Sequence, residues 1–192
     1  MTFRWNAYRH LNENNAAMPS SLQELARALV GSPPNRLALY LLGNVPGFPP
    51  MVQTVHLLSI AAIMGSIVLI NLRMLGLAVP SQSAGELTRR LMPWTWWAFP
   101  FLAISGLVFI FARPVRYLSN PVFGLKFALL APAVVVALVF HRAYARDPGV
   151  WERSRWRRVS SRAIAFVSLV LWLGVAMAGR WIAYADYIFP PK

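Results

Sequence analysis

Between Pro50 and Arg73 the chain runs for 22 residues without a charged side chain, MVQTVHLLSIAAIMGSIVLINL. At ~1.5 Å per residue a helix of that length crosses a ~30 Å hydrocarbon core. In that solvent every backbone N–H and C=O has to be satisfied within the segment, which leaves a helix as the solution for a single run. Residues 51–72 are therefore expected to span a membrane. At the ~100° per residue of an α-helix, His56, Ser59, Ile63, Ser66 and Ile70 fall on one side. That face is expected to meet other helices.

Three further spans follow. Residues 91–112, LMPWTWWAFPFLAISGLVFIFA, again carry no charge. Pro93 falls in the first turn of this second span, Pro100 should kink it, and Trp94, Trp96 and Trp97 mark the membrane–water interface. The third span covers about 121–141, with Pro132 near its centre and Lys126 one to two turns in. Its charge-free core is only 127–141, so Lys126 must snorkel or find a partner. The fourth covers about 162–183, where Gly174 and Ala178 have the small-x-x-x-small spacing that permits close helix contact. A mean hydropathy of +0.49 and 57% hydrophobic residues agree with a polytopic membrane protein.

Around these spans, residues 1–50 read as an extracytoplasmic segment and 184–192 as a short tail, with the bundle at 51–183. Residues 1–18 are polar and lack the apolar h-region of a signal peptide. In PSSLQELARALVGS, Ser21 and Glu24 form an S-x-x-E capping box, and Leu22, Leu25, Ala26 and Leu29 recur at helical spacing. This predicts a short amphipathic helix that lies in the membrane interface, the favoured placement, or packs on the end of the bundle. LALYLLGN, between Pro34 and VPGFPP, is too short to cross and reads as an elbow leading into the first span. The fold class is an all-α integral membrane four-helix bundle with an N-terminal amphipathic interfacial segment.

Charge sets the expected orientation. The chain holds 17 arginines and 2 lysines against 6 acids, a net charge of +13. Seven arginines lie in the third connection through Arg162, and Arg73, Arg89 and Arg90 in the first, so ten bases share one side. Six lie close to the spans on the other: Arg36, Arg113, Arg116, Lys126, Arg180 and Lys192. The positive-inside rule then places both termini in the periplasm of a bacterial inner membrane. The WERSRWRR loop is expected to meet anionic lipid head groups through Arg153, Arg155, Arg157 and Arg158, not nucleic acid.

The chain has no cysteine, which excludes thiol catalysis and thiolate metal sites and leaves His, Met and carboxylates as ligands. No nucleophile elbow, zinc-protease, P-loop or dinucleotide motif occurs, and no pair of carboxylates falls within a span. An enzyme is not expected. An ionisable group inside a span is a functional candidate by default, and His56, Lys126 and His141 are the candidates. His56 and Lys126 each lie about six residues from the outer face, whereas His141 lies at the inner end near Asn71, Arg73, Trp94 and Thr95. The histidines are thus ~20 Å apart along the membrane normal and cannot ligate one iron. A b-type haem at His56 would need His10, Met51 or an open sixth position. Copper is a weaker candidate at His56, because Met51 lies five residues away and off its helical face. An anion site formed by Lys126 and protonated His56 is a third candidate. Hydrogen bonding of His56 within the bundle is the simplest reading.

TVHLLSIAAIMGSIVLINLRMLGL, RRLMPWTWWAF and NPVFGLKFALLAPAVVVALVFH resemble an uncharacterised bacterial family of small four-span membrane proteins, a domain of unknown function. The resemblance covers roughly residues 49–141 and includes His56, Arg73, Arg89, Arg90, Pro93, Trp94, Asn120, Lys126 and His141. Family members more often carry an acid two residues before the first histidine, where this chain has Thr54. The resemblance implies a fold without an activity. A looser likeness to the membrane part of copper-resistance protein D and to dihaem b-type cytochromes is one of architecture. The expected role is a non-enzymatic accessory or scaffold subunit of a larger membrane complex, of the electron-transfer or photosynthetic kind. A haem-binding or copper-handling membrane protein is the alternative.

Overall fold

The computed structural model describes residues 20–147, 149, 151 and 153–184. The polar tail with His10, the side chain of Ser21 and the C-terminal tail lie outside the described residues. Helices α1 (Ser20–Leu29) and α2 (Pro33–Asn44) precede the long helices α3 (Phe48–Leu75) and α4 (Ala84–Ala112). A short α5 (Pro114–Leu118) leads to α6 (Pro121–Arg146) and α7 (Arg155–Trp181), and a 3₁₀ turn follows at Ile182–Tyr184. Helices α3, α4, α6 and α7 are each long and apolar enough to cross a membrane. The protein is a multi-pass, all-helical membrane bundle.

Two sequential hairpins, α3–α4 and α6–α7, make the tightest contacts, and the hairpins join mainly through α3 against α7. Small hydroxyl residues seven apart are buried on three of the long helices: Ser59 and Ser66 on α3, Thr88 and Thr95 on α4, Ser161 and Ser168 on α7. Small side chains let helix backbones approach where lipid offers no hydrophobic drive for association. Ser59 and Thr88 donate to the carbonyls of Val55 and Ala84 on their own helices. Asn71 donates instead across the bundle, to Ser168 Oγ at 3.1 Å, and is 2% exposed. The face expected of the first span is the buried one, with Ser59, Ile63, Ser66 and Ile70 inside.

Gly174 does what its spacing predicts. A Cβ there would stand 3.2 Å from Leu129 Cδ1 of α6, so the absence of a side chain lets Leu129 pack close against α7. Ala178, one turn on, is buried beside Val122.

Helix ends follow local chemistry. Ser83 Oγ accepts from Glu86 N–H, an S-x-x-E cap that starts α4 at Ala84. The charge-free run begins later, at Leu91, because lipid exposure and helix formation have different limits. Pro93 consequently lies inside the helix, as Pro100 does, rather than in its first turn. Gly76, at φ 82°, ends α3 in the left-handed conformation that L-residues avoid, and Leu77 N–H closes onto Leu72 C=O. Asn120 caps α6 by accepting from Val122 N–H, and its amide reaches Ile182 C=O at the end of α7.

The elbow expected at LALYLLGN is a helix, α2, with Pro33 and Pro34 in its first turn, where proline fits. It docks onto α4 through buried Asn35, whose Nδ2 donates to Phe111 C=O, one of the carbonyls a helix end leaves unpaired. Helix α1 packs against α5, burying Ala26 while Leu22 and Leu25 stay exposed.

Candidate functional site

Near the α2 end of the bundle, His56 on α3 faces Ser105 on α4, with Nδ1 and Oγ 2.9 Å apart. Ser105 Oγ also stands 2.6 Å from Phe101 C=O and 3.1 Å from Leu102 C=O. A hydroxyl has one proton, and two carbonyls compete for it. The oxygen is thereby left to accept, which assigns the proton of a neutral His56 to Nδ1. In this tautomer Nε2 carries a lone pair.

The ring is held on two further sides. Phe109 meets it edge-on at 5.9 Å, and a Cβ on Gly106 would stand 3.5 Å from Cε1, so the glycine admits the ring against the α4 backbone. His56 is half-buried. Lys126 reaches this corner from α6. It is half-buried, close enough to His56 to interact electrostatically, and its Cε and Nζ lie against Gly179 of α7. No ion pair among the described residues neutralises it. The fold brings His56 and Lys126 to one corner of the bundle.

His141 is at the opposite end, where its ring meets Trp96 at 5.9 Å. Trp96 is the aromatic neighbour there, whereas Trp94 is 69% exposed and Asn71 is engaged with Ser168. Ser105 and Phe109 lie nine and thirteen residues beyond Trp96 on the same helix, ~14–20 Å along its axis. His56 and His141 are therefore not brought together. Met51 is exposed near the start of α3, and no group of three or more His, Asp or Glu among the described residues is arranged to hold a metal ion.

The basic loop is partly tied down. Arg153 pairs with Asp147 at 2.8 Å, and Arg155, Arg157 and Arg158 are exposed at the start of α7. Arg73 Nε donates to Gln82 C=O, pinning the connection between α3 and α4. Arg90 pairs with Glu86 one turn away.

Residues 42–185 match a family described as "Family of unknown function (DUF6644)". The chain belongs to this family. The DUF6644 match runs from the last turn of α2 through all four long helices, and so extends past the region of sequence resemblance to take in the basic loop and α7. It contains His56, Ser105, Lys126 and His141, while α1 and most of α2 lie outside it. No curated protein and no solved structure matches the chain, so the likeness to copper-resistance protein D gains no support. Several positions that carried the resemblance prove to be structural: Arg73 holds a loop, Gly76 stops a helix, and Asn120 caps one and ties it to another.

Proposed function

We propose that this DUF6644 protein is a non-enzymatic accessory or scaffold subunit of a larger bacterial inner-membrane complex. The observation that carries the reading is how its side chains are allotted. Two polar pairs within the spans, Asn71–Ser168 and His56–Ser105, tie the long helices to one another. Large apolar groups such as Phe101, Ile104, Leu107, Phe166 and Val170 point outward. Such a surface suits lipid and neighbouring subunits alike. The class of complex proposed is the electron-transfer or photosynthetic one. In this reading both termini are periplasmic, and Arg153, Arg155, Arg157 and Arg158 lie against anionic cytoplasmic head groups. The test is native-gel migration of tagged protein from its own membranes. Co-migration with a large complex, lost on deleting residues 1–45, is the expected result; migration alone counts against the reading.

One observation favours a second reading, a b-type haem at His56. The Ser105 contact orients the ring and leaves Nε2 as a ligand atom, the arrangement a metal-bound histidine needs. His141 is too distant to be the second ligand, which would come from water or another chain. A Soret band that shifts on dithionite reduction and is lost in His56→Ala would support haem. A colourless, metal-free preparation removes both haem and copper.

A further inference from the structure

Helix α1 and most of α2 lie outside the DUF6644 match, and at 10 and 12 residues both are too short to cross a membrane. Both are nonetheless fixed at the bundle's edge. Asn35, in the first turn of α2, donates to Phe111 C=O at the end of α4, and at the other end of α2 a short link after Asn44 enters α3 at Phe48. The end of α4 and the start of α3 lie at one face of their hairpin. A helix tied at both ends to that face runs across it, in the plane of the membrane surface. Helix α1 packs on α5, the link from α4 to α6 at the same face.

The two helices leave apolar groups uncovered in a particular arrangement. At ~100° per residue, the outward centre of α2 holds Arg36, Tyr40 and Asn44, opposite buried Asn35 and Ala38, while exposed Leu37 and Leu39 lie on its two flanks. On α1, Leu22, Leu25, Ala26 and Leu29 share one side, of which the contact with α5 buries Ala26 and leaves Leu22 and Leu25 open. Glu24 and Arg27 are exposed on the other side. A protein docking surface concentrates its apolar groups at the centre and its polar groups at the rim. Apolar flanks around a polar centre are the reverse, and suit a helix half sunk among lipids.

We propose that α1 and α2 form a surface layer that contacts lipid, with Leu22, Leu25, Leu37 and Leu39 seated at the boundary between acyl chains and head groups. The leucines then continue the apolar surface of the spans, to which exposed Met51 near the start of α3 and Leu107 near the end of α4 belong. Arg27, Arg36 and Arg113 are exposed at the same face, at the level of the head-group phosphates. Ser105 lies six residues, ~9 Å along α4, before Phe111, so the seating of α2 also sets how far below the surface the His56 corner lies. The outward face of α2 is left to water or to a neighbouring subunit, and the layer does not depend on the accessory role.

Because the chain has no cysteine, a single introduced cysteine takes a fluorescent label at one place. The experiment labels Leu25→Cys, Leu37→Cys, Leu39→Cys and Tyr40→Cys in full-length protein, all at exposed positions, and reconstitutes each in vesicles of phosphatidylcholine and phosphatidylglycerol. Quenching is read with brominated acyl chains in the bilayer and, separately, with iodide on both sides of it. The three probes at leucine positions are expected to be quenched by the brominated chains, and several-fold more weakly by iodide than the Tyr40→Cys probe. Iodide quenching of all four probes to the same degree overturns the proposal, because the layer then stands in water. Protection of the leucine-position probes from both quenchers also overturns it, because protein rather than lipid then covers them.

Discussion

His56 Nδ1 and Ser105 Oγ, 49 residues apart in sequence, meet at 2.9 Å and fix the imidazole between α3 and α4. The serine passes its own proton to its helix backbone, so it serves the histidine purely as an acceptor. Replacing Ser105 by alanine removes that acceptor and leaves a buried N–H, at a cost of about 1–2 kcal/mol. Thermal or denaturant unfolding in detergent should show Ser105→Ala less stable than wild type. Stability equal to wild type would mean the hydroxyl contributes nothing to holding the ring.

Asn71 and Ser168 tie the two hairpins together. Side-chain hydrogen bonds between membrane helices are worth about 0.6 kcal/mol on average and rarely exceed ~1.7. A double-mutant cycle of Asn71→Ala and Ser168→Ala should return a coupling energy in that range. Strict additivity would show that the two side chains do not act together.

Thr95 Oγ1 is buried without a partner among the described residues. Thr95→Val keeps the shape and removes an unsatisfied hydroxyl, so the variant should equal or exceed wild-type stability by up to about 1 kcal/mol. A clear loss would mean that the hydroxyl has a partner in the native membrane.

Gly174 allows Leu129 to approach the α7 backbone. A valine there must displace Leu129, and overpacking of this kind costs about 1–3 kcal/mol. Gly174→Val should unfold earlier than wild type, and Leu129→Ala in the same chain should restore part of the loss. Failure of that rescue would place the clash elsewhere.

These relationships differ in how far the sequence announces them. The four crossings are legible because hydrocarbon tolerates no charge, and a run of 22 uncharged, mostly apolar residues has the length that a crossing helix needs. The shared depth of His56 and Lys126 follows from counting along two spans. The Ser105 contact does not, because it depends on how α4 is rotated about its axis, and periodicity alone does not fix that across a pair of helices. The start of α4 is written in the Ser83–Glu86 spacing, as the start of α2 is in its proline pair, yet both lie outside the uncharged runs.

The account's central claim is that this bundle works as part of a larger membrane assembly. The direct measurement is native mass spectrometry of tagged protein expressed at its natural level and released from its membranes in mild detergent. The account predicts a discrete species well above the 21.5 kDa of the chain, containing other membrane subunits in fixed stoichiometry. A species that contains this chain alone would contradict it.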